Sequence, residues 1–194
     1  MVTLRHNELR DITTTILKEI CHDVRTEPPL TKVNGEVLNE RTANTRPEAC
    51  LDISALGFWT PGQRVFFDIR VFNLHAQRYK CLELKRCFER NEKEKKRQYN
   101  ERVLQIENGT FTPLVFATNG AISRECQAFY KRLAEMVAEK RKIQTSMATN
   151  VIRTKICFSL VRSMLRCIRG SRSQININMD DIHLADQAQI RPVD

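Results

Sequence analysis

Val65-Phe66-Phe67-Asp68-Ile69-Arg70-Val71-Phe72 is the stretch whose reading decides the fold. Strand side chains alternate between faces, so Val65, Phe67, Ile69 and Val71 point one way while Asp68 and Arg70 point the other. An upstream run, Cys50-Leu51-Asp52-Ile53-Ser54-Ala55, has the same character, and Gly57, Pro61 and Gly62 separate the two. A carboxylate beside an apolar core is costly unless a cation or a hydrogen-bonding partner compensates it. Two carboxylates on adjacent strands, Asp52 and Asp68, make an oxygen-rich point of the kind that holds Mg²⁺.

Around these strands the pattern is mixed. Leu9, Ile12, Ile16 and Ile20 recur at spacings of three and four, which predicts a helix over residues 4–23. Val24 to Glu27 reads as a short strand ended by Pro28-Pro29, and residues 30–47, with Asn34-Gly35, read as a hairpin-like loop. A long helix is predicted over 82–106, with Phe88, Lys95, Tyr99 and Ile106 on one stripe. Residues 111–117 read as a buried strand, and Pro113 within it indicates an edge or a bulge. Two helices follow, over 122–141 and 146–169, stopped by Gly170 and the serines after it. The expected fold is α/β, a small mixed sheet with flanking helices plus two C-terminal helices. One domain is expected over 1–173, with an acidic tail over 174–194 that is expected to be disordered.

A net charge of +9 and a pI near 9.4 favour a polyanionic partner, nucleic acid before membrane. The seven cysteines (21, 50, 81, 87, 126, 157, 167) contain no Cys-x-x-Cys pair, and an odd, scattered set suits reduced thiols. No apolar run approaches the roughly 20 residues of a membrane span. With no export signal at Met1-Val2-Thr3, a nuclear or cytoplasmic rather than secreted protein is expected, and Asn108-Gly109-Thr110 reads as a turn rather than a glycosylation site.

The order helix, strand, strand, strand, helix, strand, with carboxylates at these points, resembles the PD-(D/E)xK nuclease core, also called restriction-endonuclease-like. The matching positions are Glu8 on the first helix, Asp52, and Asp68-Ile69-Arg70. Arg5-His6-Asn7-Glu8, Glu27-Pro28, Phe66-Phe67-Asp68-Ile69-Arg70-Val71, residues 91–99 (NEKEKKRQY) and 109–116 (GTFTPLVF) look like the restriction-like endonuclease that follows the reverse transcriptase in non-LTR retrotransposon polyproteins. The resemblance covers roughly residues 4–173, and no motif within it is diagnostic alone. It implies a metal-dependent DNA endonuclease module detached from its reverse transcriptase. Asp52 and Asp68 would ligate Mg²⁺ or Mn²⁺ with a backbone carbonyl such as that of Ile69, and Glu8 would be an auxiliary acid or second metal position. Arg70 stands where the motif prefers Lys, and Leu51 where it prefers Pro. Arginine stays protonated, so it can stabilise phosphate charge but cannot serve as a base. The expected lysine is therefore Lys95, on the apolar stripe of the following helix, with Lys96 second.

Plainer readings stand beside these. Asp68 and Arg70, two apart on one face, suit an in-strand ion pair, and Glu8 suits the positive end of its helix. His6 and His22 are isolated from any cysteine cluster, and Trp59 reads as core packing. The mixed charges of 92–97 read mostly as a solvated face. In the last helix, Lys155, Arg162, Arg166 and Arg169 form one basic stripe expected to contact DNA backbone. Val151, Ile152, Phe158, Leu160, Val161, Leu165 and Ile168 are expected to pack on the core. No small-molecule cofactor or membrane is expected, and a catalytically inactive nucleic-acid-binding remnant is the alternative function.

Overall fold

The computed structural model describes residues 2–31 and 50–169. The loop expected over 30–47 lies outside the described residues from position 32 onward, as does the acidic tail from Gln174. The element order is α1 (Val2–Ile20), β1 (His22–Thr26), β2 (Ile53–Leu56), β3 (Arg64–Phe72), a 3₁₀ turn (Gln77–Tyr79), α2 (Leu84–Gln105), β4 (Thr110–Ala117), α3 (Arg124–Arg141) and α4 (Thr145–Arg169). The fold is mixed α/β, with one four-stranded sheet in the order β1-β2-β3-β4 and helices flanking it. No described helix is long and apolar enough to cross a membrane.

The sheet is antiparallel from β1 through β3, and β3 pairs with β4 in parallel. A parallel pair needs a crossover, and α2 supplies it. Gly57 and Gly62, at φ +86° and +75°, turn the β2–β3 hairpin, which the Gly57 N–H closes onto the Gln63 carbonyl at 2.9 Å. Pro113 lies in β4, an edge strand of the sheet.

The alternation in β3 divides the core. Val65, Phe67 and Ile69 join Leu114 and Phe116 of β4 on one face, packed with Leu9, Ile16 and Leu17 of α1 and Phe129, Leu133 and Val137 of α3. Ser123 caps α3 by accepting the Cys126 N–H. On the opposite face α2 covers two smaller clusters, Phe72, Tyr79, Cys87, Phe88, Val115 at one end and Leu51, Phe66, Val103, Phe111 at the other. Asp68 and Arg70 fall in the gap between these clusters, because they alternate with the same residues. The inward stripe of α2 runs Phe88, Asn91, Lys95, Tyr99, Val103, with Ile106 exposed beyond the helix end instead of continuing the stripe.

In α4, Ala148, Ile152, Ile156 and Leu160 are buried against the α1–α3 layer. The expectation that all of its apolar residues pack on the core is corrected here: Val151, Phe158, Val161 and Leu165 are exposed, Phe158 at 66%. Two apolar stripes share the helix, and the core takes only one.

Candidate active site

Register builds the site. The β2–β3 pairing matches Ile53 with Phe67 and Ser54 with Phe66, and Asp52 stands at the end of this ladder. Asp52 precedes β2 by one residue instead of lying inside it, yet its N–H donates to the Phe67 carbonyl (3.1 Å) and its carbonyl accepts from the Glu27 N–H (2.8 Å). Asp68 points to the α2 side, where Lys95 meets it, and the Asp52 charge lies near enough to act on it. Asp52 and Asp68 are 6% and 5% exposed.

Each carboxylate has its own compensation. Asp52 Oδ2 accepts the Ile69 N–H at 2.5 Å and lies 3.0 Å from His6 Nε2 of α1, a contact that suits a protonated Nε2. Asp68 Oδ2 lies 2.8 Å from Lys95 Nζ, an ion pair whose angles fall short of an aligned hydrogen bond. Burial pushes the Asp68 carboxyl up to about 6, the Lys95 ammonium opposes that rise, and the neighbouring Asp52 charge adds to it. Burial by itself would lower His6, but the hydrogen bond and charge of Asp52 outweigh it, and the imidazole is raised above its ordinary value. Tyr99 walls the site, with Lys95 Nζ 5.4 Å from its ring centroid. Its phenol is pushed well up, first by burial and then by the charges of Asp68 and Asp52. Pro113, the β4 partner of Asp68, brings no N–H to this point of the ladder.

The other expected site residues lie apart from this pair. Arg70 pairs with Glu94 of α2 at 3.2 Å, so the in-strand partnership with Asp68 does not form. Lys96 points to Glu125 of α3 at 2.5 Å. Glu8, expected beside the aspartates, faces α4 instead: Oε2 accepts from Ser159 (3.0 Å) and Ser163 (3.3 Å), and Oε1 pairs with Arg166 (3.0 Å). The α1 residue that reaches the aspartates is His6, two positions earlier and on a different face of the helix. No sequence signal gave it a role, since its partner is 46 residues away. Trp59 is 36% exposed, edge-on to Phe58, and donates to Thr112 Oγ1 at 3.1 Å.

Of the four cations expected to touch DNA from α4, Arg166 is bound to Glu8, while Lys155, Arg162 and Arg169 are exposed. A second basic surface lies on α2. Arg86, Arg90, Lys93 and Arg97 recur at spacings of four, three and four on the helix face turned away from the sheet. With Arg78, Glu89 and Glu94 they line a groove of about 640 Å³. Glu94 also holds Arg70, which links this groove to the strand that carries Asp68.

Chemically, the site offers two buried carboxylates with an ammonium on one and an imidazole on the other. Among the described residues no group of three or more His, Cys, Asp or Glu side chains is arranged to enclose a metal ion. A pair of carboxylates suits Mg²⁺, which keeps several of its waters and takes one or two carboxylates from protein. No protein-family profile matches this chain, and no curated protein matches it.

Proposed function

We propose that this chain is a metal-dependent DNA endonuclease module of the restriction-endonuclease-like class, of the kind found in retroelement polyproteins. The observation that carries the reading is the buried Asp68, paired with Lys95 of α2 and close enough to the buried Asp52 to feel its charge, in a chain whose elements follow the order of that nuclease core. Purely structural aspartates need no such arrangement. Two adjacent buried carboxylates repel one another, and each group must be desolvated.

In this reading Asp52, Asp68 and the carbonyl of Ile69 hold Mg²⁺ or Mn²⁺. The bound ion supplies charge neutralisation at the phosphate and a water that ionises near neutral pH. Lys95 contributes the mobile cation that the strand motif lacks, since Arg70 cannot give up a proton and is held by Glu94. His6 fixes the orientation of the Asp52 carboxylate, and the Ile69 N–H holds the same oxygen from the other strand. Glu8 anchors α4 to α1 and takes no part in metal binding. The basic row on α2 grips the phosphate backbone without reading sequence.

Nicking of supercoiled plasmid tests this reading. The chain should nick in Mg²⁺ or Mn²⁺ and not in EDTA, and Asp68→Ala and Asp52→Asn should each abolish nicking while salt-sensitive DNA binding persists. Absence of nicking with DNA binding intact would overturn the enzyme and leave a nucleic-acid-binding remnant of the same fold.

A further inference from the structure

Along α4 the exposed residues Met147, Val151, Thr154, Phe158, Val161 and Leu165 are spaced four, three, four, three and four apart. The spacing is that of a coiled-coil seam, narrower than the stripe by which a helix packs on a globular core. The core-facing stripe of α4 is a separate set, Ala148, Ile152, Ile156, Leu160 and the buried Ser159 and Ser163. Among the described residues, then, nothing covers the seam. It extends over most of a helix of 25 residues, about 37 Å long at 1.5 Å per residue.

The flanks of the seam are unequal. Lys155 and Arg162, seven apart, and Arg169 after another seven stand on one side, all exposed. None of the three is in an ion pair among the described residues, in contrast to Arg166 on its Glu8. The other flank carries the uncharged Asn150, Cys157 and Met164, with the exposed Arg153 as a single cation beyond them. No acidic residue occurs anywhere in α4.

We propose that this seam is a docking surface for an amphipathic helix of another protein whose flank facing Lys155, Arg162 and Arg169 is acidic. A knob row at this spacing fits between the side chains of a second helix. The basic edge selects its charge and orientation, in the way that edge charges choose partners in coiled coils. A second copy of α4 fits less well: an antiparallel pairing sets the basic flanks against each other, and a parallel one sets them against neutral residues. DNA backbone would leave Phe158, Val161 and Leu165 facing phosphates. An anionic membrane surface is met by helices with rows of basic residues on both borders of the apolar face, and the second border here carries Arg153 alone.

The test uses the full chain and synthetic helices of four heptads with Leu at both seam positions. One carries Glu at the flanking positions, the other Lys, and like charge keeps each from pairing with itself. The Glu helix should bind about tenfold more tightly than the Lys helix, with an affinity that falls with salt. Phe158→Glu combined with Val161→Glu should abolish binding without changing circular dichroism, since both side chains are exposed. Lys155→Glu combined with Arg162→Glu should reverse the preference between the two helices. Equal binding of both helices, binding of neither, preferential binding to phosphatidylserine vesicles, or a self-dimer that the Phe158 variant dissolves would each overturn the proposal. Asp68→Ala should leave peptide binding intact, so this surface stands or falls apart from the nuclease reading.

Discussion

Two long helices of this protein are both basic and amphipathic, and they resolve the same conflict in opposite ways. α2 turns a mixed stripe inward, with Asn91 and Lys95 between Phe88, Tyr99 and Val103, and leaves its arginines outside. α4 turns small and aliphatic residues inward and leaves Phe158, Val161 and Leu165 outside with its cations. Charge carried inward at α2 is tolerable only because Asp68 meets Lys95 and the Tyr79 hydroxyl meets Asn91 at 3.0 Å. Apolar surface carried outward at α4 has no such compensation within the described residues. The first conflict serves a site within the fold. The second leaves an apolar surface exposed among the described residues.

The contrast can be broken most severely at Lys95. Lys95→Met leaves the buried Asp68 carboxylate without its cation, and removing one partner of such a pair is expected to cost about 3–5 kcal/mol at neutral pH in urea unfolding. A loss close to zero would place the lysine in solvent and remove the site.

A smaller effect is expected where α4 is fastened. Glu8→Ala removes the acceptor of Ser159, Ser163 and Arg166, and should cost about 1.5–3 kcal/mol, the range for hydrogen bonds to a charged group. It should leave metal-dependent nicking by the folded protein in place. Loss of nicking in a fully folded Glu8→Ala protein would return that residue to the active site.

The pH dependence sharpens the reading of Asp68. Its carboxyl stands at about 6 in the folded chain and near about 3.9 when unfolded, so the folded state holds the extra proton between those values. This group's contribution is therefore full below pH ~4 and is lost as the pH rises through about 6. Stability of the wild type relative to Asp68→Asn should fall across that window, and a relative rise would reverse the assignment of burial as the dominant cause.

The smallest change belongs to the outer face of α4. Phe158→Ser should alter unfolding stability by no more than about 0.5 kcal/mol, the range for exposed positions, although the same substitution in a core costs several times more. A large loss would mean that this face is already covered by the chain itself.

Much of this arrangement was legible before any coordinates. Strict alternation in 65–72 assigned Val65, Phe67 and Ile69 to one face and Asp68 to the other, because a strand has a side-chain period of two. Lys95 announced itself as a lysine on an apolar stripe, an odd place for a solvated side chain. The helix periodicities located all four long helices, since apolar repeats at 3.6 residues leave a clear trace. His6 stood within the Arg5-His6-Asn7-Glu8 segment but was given no role: its meaning depends on a helix docking so that Nε2 lands on a carboxylate 46 residues away. Glu8 looked the better acid, yet it turned to two serines of the last helix, more than 150 residues distant in sequence.

By itself, then, the sequence determined the elements, their order, the α/β class, and which residues of β3 share a face. These follow from local repeat geometry and from the cost of burying charge. Only the tertiary structure decided which of two apolar stripes on α4 enters the core, which residue of α1 meets Asp52, and that Arg70 answers to Glu94 instead of Asp68. Those outcomes depend on the angle and depth at which helices seat on the sheet. That seating is set by the summed packing of many side chains, and no single residue encodes it.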